Sequence, residues 1–358
     1  MRRALLVLSL LAACAHAPAR HPPPEVLATP AGSAQARAEW TSATIRLAKV
    51  AGMRGELERA RTLLEDAVAQ AQADGDAAGA ARLQAELAVA LGEEAFYTRT
   101  GVERGVAVAS EARAAARSAG VRDAEARALH AEGFQRYGVL LWNDGKDFQV
   151  PRGLFEQARA LHRDLGDRSG VAQETFFLGL TFEQEGKTEE AGERYREARA
   201  LAEEIGDRST LSYACRHLAG LAEARGDLDE ALALQRRSLA LREEIGFVRL
   251  VPFALIAVGD VERKRRTFDD ARASYTRALA EAQRLGSGPA LVWAQFGLGA
   301  VDEAQGRLDA ALAHYESARE AAARLGSKSW VEETGAAAEK VRKRLREAGV
   351  TGELTNGG

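Results

Sequence analysis

Residues 166–206 read GDRSGVAQETFFLGLTFEQEGKTEEAGERYREARALAEEIG, and the chain returns to this pattern three more times before Gly326. Gly166, Gly206, Gly246, Gly286 and Gly326 stand 40 apart, each preceded by Leu or Ile. Inside the units Leu178-Gly179, Leu218-Ala219, Val258-Gly259 and Leu298-Gly299 form one column. Gly186, Gly226 and Gly306 form a second, with Arg266 as the exception. Ala191, Ala231, Ala271 and Ala311 form a third, and Tyr195, Tyr275 and Tyr315 a fourth, with Gln235 in the odd unit. Ala198, Ser238, Ala278 and Ala318 complete the set. A fixed period of this length marks a stack of supersecondary units.

Each unit predicts two antiparallel helices. Apolar residues recur at helical spacing from Asp167 to Gln184 and from Thr188 to Ile205, with no proline in either stretch. Breakers sit only at the seams. Gly166 and its equivalents suit the left-handed residue that ends a helix, and Asp167, Asp207, Ser287 and Ser327 suit the cap of the next. Small residues at Gly179 and Ala191 let the two backbones approach, with Tyr195 filling the space beside them. One hairpin cannot bury its own apolar face, so neighbours must stack.

The unit T-x2-LG-x2-F from Thr175 to Phe182, followed by Ala191, Tyr195 and Ala198, resembles the tetratricopeptide repeat. Its tryptophan slot holds Thr175, Cys215, Leu255 and Gln295, and the family's closing proline is missing, as in its longer 40-residue variety. The resemblance implies an all-α, right-handed superhelical solenoid of stacked hairpins. Degraded copies extend it toward the N-terminus, for about seven repeats over 36–326. Extra residues around Tyr97–Gly101 and Asn143–Pro151 are expected in loops, which makes Trp142 to Lys146 either a contact loop or a tolerated insertion. Residues 327–348 predict a basic-ended capping helix, and 349–358 a frayed tail.

The start of the chain has a different character. Arg2-Arg3 and an apolar run to Leu11 read as a secretory signal over 1–13, too short to span a bilayer. Leu11-Ala12-Ala13-Cys14 resembles the lipobox of bacterial lipoproteins, which implies a lipid on Cys14 and, with Ala15 following, an outer-membrane address facing the periplasm. An ordinary cleaved signal with Cys14 incidental is the other reading. Five of the eight prolines lie in 14–35, as expected of an extended tether.

Chemistry is sparse. The six histidines show no metal-ligand spacing, the glycines of Gly297-Leu298-Gly299 fall inside a helix, and no nucleophile elbow occurs. No enzyme activity, metal or cofactor is therefore expected. A formal net charge of −3 argues against a nucleic-acid surface. What remains is a binding face. In the tetratricopeptide family the first helix of each pair (helix A) lines a concave groove. Carrying over its contact positions implicates Arg127, His130 and Phe134, then Gln173 and Phe176, then Tyr213 and Arg216. Phe253, Trp293 and Phe296 continue the series, and Tyr137 and Arg263 lie further along the same face. Aromatic and arginine residues on a chain only 6% aromatic suit a groove for a protein or peptide. The same rings could instead pack between adjacent A helices. The work expected of such a chain is that of an envelope adaptor, with sensing of a small effector as the alternative.

Overall fold

The computed structural model describes residues 33–98, 101–143 and 145–355. The signal, Cys14 and nearly all of the tether lie outside them. The described residues form fifteen α-helices and no strand: α1 Ala34–Arg54, α2 Leu57–Ala73, α3 Ala77–Thr98, α4 Val102–Ser118, α5 Arg122–Trp142, α6 Gln149–Asp164, α7 Arg168–Gln184, α8 Thr188–Ile205, α9 Arg208–Ala224, α10 Leu228–Glu244, α11 Val251–Lys264, α12 Phe268–Leu285, α13 Gly288–Ala304, α14 Leu308–Arg324 and α15 Lys328–Thr355. The chain is an all-α stack of helical hairpins. It falls into two compact units: an N-terminal one running to Leu221 and including Ala240–Arg249, and a C-terminal one of Ala222–Leu239 and Leu250 onward.

The seams are built as their residues require. Gly166, Gly206, Gly246, Gly286 and Gly326 all adopt positive φ, between 64° and 74°. Asp167 and Asp207 then cap α7 and α9, accepting from the Gly170 and Thr210 amides at 3.0 Å. Ser287 makes no side-chain cap bond. Arg266, the exception in the turn column, takes the same left-handed conformation at φ 65°. A Cβ in that region is strained, so Arg266→Gly is expected to stabilise the protein by about 1 kcal/mol, read as a rise in the urea midpoint at unchanged slope.

Within four of the hairpins a large ring meets a residue without a side chain. A Cβ on Gly179 would lie 2.5 Å from the Tyr195 ring, one on Gly259 2.9 Å from Tyr275, and one on Gly299 2.8 Å from Tyr315. Gly133 stands in the same relation to Phe155, at 2.7 Å. The rings are fully or almost fully buried, so the close helix contact and the aromatic column are one device.

The extra residues in the second and third repeats behave only partly as expected. They lengthen helix A, α3 having 22 residues and α5 having 21 against 17 in α7, while in the third repeat Asn143 and 145–148 also stand outside the helices between α5 and α6, as expected of a loop. Trp142 ends α5 with its ring 6.0 Å from Phe96 of α3, and Phe96 stacks on Phe134 at 5.3 Å. Each added turn buries an aromatic face against the other, which offsets the cost of ordering it. At the far end α15 continues to Thr355, past the boundary at 348 that the apolar pattern implied.

Candidate functional site

Across the A helices of the N-terminal unit runs a ladder of charge. Lys49 of α1 lies 2.9 Å from Glu86 of α3. Arg127 of α5 grips the same carboxylate with two nitrogens, at 3.0 and 3.1 Å, and its third nitrogen donates to Gln173 of α7 at 3.3 Å. Burial alone would raise the Glu86 carboxyl. The Arg127 guanidinium and the Lys49 ammonium outweigh it and hold the carboxyl at about 2. A depressed carboxylate pKa adds stability that is complete above the unfolded value and is lost as pH falls through the folded one. The gap from the ordinary 4.5 is therefore expected to contribute about 3 kcal/mol at neutral pH, lost between about pH 4.5 and 2. Urea unfolding of wild type and Glu86→Gln across that window checks it: the pH slope should flatten in the variant.

The residues carried over from the family motif divide sharply by burial. His130, Tyr137 and Phe176 are core side chains. His130 pairs with the buried Glu174 at 2.9 Å and sits edge-on to Phe177 at 4.7 Å. Tyr137 packs on Phe148, and Phe176 on Tyr195, Tyr213 and His217. In the C-terminal unit Phe253 and Trp293 are each only 7% exposed. As exposed groove anchors these rings are corrected: adjacent A helices pack directly on one another and enclose them. Arg127, Phe134, Gln173, Tyr213 and Arg216 remain partly exposed in the N-terminal unit, as do Arg263 and Phe296 in the C-terminal one.

Carboxylates recur near the end of helix A (Glu183, Glu223, Glu303, with Arg263 in the odd unit) and are committed to neighbouring side chains. Tyr195 donates to Glu183, and Tyr315 to Glu303 at 3.0 Å. Where the acid column holds Arg263, Asp260 one turn earlier accepts from Tyr275 at 2.7 Å, with Arg263 beside it at 3.6 Å. Glu183 also meets His217 Nδ1 at 2.9 Å. Burial pushes the His217 imidazole pKa down, so near neutral pH it stands uncharged; with the proton on Nδ1, Nε2 accepts from Arg216 at 3.4 Å. These groups orient Arg216 and are not themselves presented to a ligand.

Three participants escaped the sequence reading. Lys49 and Glu86 belong to degraded repeats, although alternation of sign along successive A helices was a usable signal. Arg249 had no signal at all, since the Glu93 it contacts at 3.1 Å is 156 residues away. At the edge of the same unit an open depression of about 650 Å³ is lined by Met53, Arg168, Ser169, Asp207, Arg208 and Ile245, among others. Its two arginines are already paired, with Glu204 and Glu244. Cys215 is buried and in no disulfide among the described residues. Among the described residues no group of three or more His, Cys, Asp or Glu could hold a metal ion, and no helix is long and apolar enough to cross a membrane.

Hairpins stacked through small-residue contacts, with a polar and aromatic helix-A face, define a tetratricopeptide-type repeat protein. The family of the MalT-like TPR region matches residues 157–351, more than half of the chain, and the chain belongs to it. No curated protein matches. Among solved structures it is similar to the Rap protein complexed with competence and sporulation factor, at 13% identity and a TM-score of 0.52, over 86% of this chain and 99% of that one. Aspartyl phosphate phosphatase F from Bacillus subtilis gives 14% and 0.53, over 91% and 84%. A signal transduction ATPase with numerous domains from Pyrococcus horikoshii, which carries a tetratricopeptide repeat sensor, gives 17% and 0.54, over 86% of this chain and 45% of that one. At these identities the likeness is one of fold.

Proposed function

We propose that this chain is a non-catalytic binding scaffold that takes a protein or peptide segment on the helix-A face of its N-terminal unit. The observation that carries the reading is the partly exposed set Arg127, Gln173, Tyr213 and Arg216, held over a buried aromatic layer. Arginine and tyrosine on a rigid base are the residue types that dominate binding energy at interfaces. Tyr213 and Arg216 offer polar groups for backbone carbonyls or carboxylates of an extended partner, beside Arg127, which Glu86 and Gln173 hold in place. The Rap protein solved with competence and sporulation factor supports the reading by fold alone.

Leu11-Ala12-Ala13-Cys14 supports a lipid on Cys14 and a scaffold tethered at the cell envelope, at the outer membrane facing the periplasm, where it serves as an adaptor or assembly factor. A second reading, a regulator whose groove senses a small effector or peptide, draws support from the likeness to a chain with a tetratricopeptide repeat sensor. Panning a peptide library on wild type and on Tyr213→Ala/Arg216→Glu tests the binding face. Peptides enriched on wild type and lost on a variant that melts normally support it; equal enrichment on both overturns it. Fractionation and mass spectrometry of wild type and Cys14→Ser test the anchor, which an unacylated, soluble wild type would refute.

A further inference from the structure

The seam at 247–250 is unlike its equivalents. Where Asp167, Asp207, Ser287 and Ser327 precede the next helix, this one has Phe247. With no capping side chain at that position the chain makes a 3₁₀ turn, Val248–Leu250, before Pro252 enters helix α11, which is 14 residues long. The displaced turn does two things. Phe247 is buried edge-on against Tyr213 at 5.9 Å, and Arg249 is carried across the N-terminal unit to Glu93 of α3, with Nη2 to Oε2 at 3.1 Å. The Arg249 side chain is 10% exposed and its guanidinium lies 5.3 Å over the Phe247 ring.

The contact reaches the first hairpin as well. A Cβ on Gly55, in the α1–α2 turn, would stand 3.5 Å from the Cβ of Arg249, and Met53 shares the edge depression with Ile245 and Ser209. Two ends of one unit thus meet through a side-chain ion pair and a few van der Waals contacts. The helices from α1 to α8 pack on one another in sequence without this contact, so breaking it is expected to leave them intact.

We infer that Arg249 and Glu93 form a clasp that holds the first two hairpins against the 247–249 seam and closes the N-terminal unit on itself. Tyr213, which the clasp segment covers through Phe247, belongs to the proposed binding face, so partner entry requires the clasp to open. That gating consequence rests on the binding reading above; the clasp itself does not.

Nitroxides at Arg54→Cys and Ser209→Cys, two exposed positions flanking the shared depression, report the closure by dipolar broadening in the full chain. A Cys14→Ser background removes the other reactive thiol, and Cys215 is buried. Wild type is expected to show broadening at low salt. Glu93→Arg or Arg249→Glu should abolish it, and the two together, which restore an opposite-charge pair, should recover it. Arg249→Met, close in size and uncharged, should also lose it while helicity by circular dichroism stays at the wild-type level. Broadening that survives in the single variants, or is not recovered in the double, overturns the clasp. Because no ligand is involved, failure of the binding face leaves this result untouched. If the clasp holds and the peptides selected above bind Arg249→Met no better than wild type, the gating role falls alone.

Discussion

Trp293→Ala is expected to lower unfolding free energy by about 3–5 kcal/mol, the range for truncating a buried tryptophan. The ring is 7% exposed and meets Phe296 at 5.6 Å and Trp330 at 5.7 Å, both nearly edge-on. It therefore ties α13 to the capping helix α15, and its loss leaves a cavity that neither neighbour can fill without leaving its own contact. The indole N–H has no partner in its buried site. Trp293→Phe should for that reason cost much less than the alanine change, about 1–2 kcal/mol, because the smaller ring also removes an unsatisfied donor. Urea unfolding of the two variants separates them. An unchanged midpoint for Trp293→Ala would mean that the ring is a surface residue after all, and would return it to the binding face.

Tyr275→Ala should be as severe, again about 3–5 kcal/mol by the scale for large aromatic truncation. Its side chain is fully buried, and the ring faces two glycines, Gly259 of its own hairpin and Gly297 of the next. The hydroxyl donates to Asp260 at 2.7 Å. Tyr275→Phe keeps the ring and loses the hydroxyl's contacts to the half-exposed Asp260 and to Arg263, which water can replace, so about 1 kcal/mol is expected. Gly259→Ala approaches from the other side. Its Cβ would stand 2.9 Å from a ring already confined by Gly297, and the overpacking should cost about 1–3 kcal/mol. An order of effects other than Tyr275→Ala, then Gly259→Ala, then Tyr275→Phe would mean that the ring has room to move.

The seam glycines, the small-residue columns and the tyrosine column were legible because each states a local requirement. A left-handed residue must end each helix, and a glycine must face each ring. These requirements recur 40 residues apart, and Arg266 shows that the backbone keeps its conformation even where the residue is unsuited to it. The acid that meets each tyrosine recurs with the same regularity, Glu183 and Glu303 standing twelve residues before Tyr195 and Tyr315, but the pairing itself emerged only from the structure. The insertions were visible too, but not their form. Whether extra residues loop out or lengthen a helix depends on a neighbouring surface for them to bury, and Phe96 and Trp142 supply that surface to each other.

Exposure of the helix-A residues was beyond the sequence. The motif positions put Tyr213 and Phe253 in one column and Phe176 beside them, yet Tyr213 keeps an open edge while Phe253 and Phe176 are enclosed. A repeat pattern records which face of a helix a residue occupies; how closely the next A helix covers that face is set by the packing of both. The Arg249–Glu93 contact lies further still from any local rule. Its two residues belong to different hairpins, 156 positions apart, and meet only because the hairpins between them stack with the curvature they do. By itself the sequence determined the hairpin, its period and its caps, since those follow from backbone conformation and side-chain size within a few turns. Only the tertiary structure decided which rings are core and where the stack meets itself, because both depend on the summed geometry of many helix contacts.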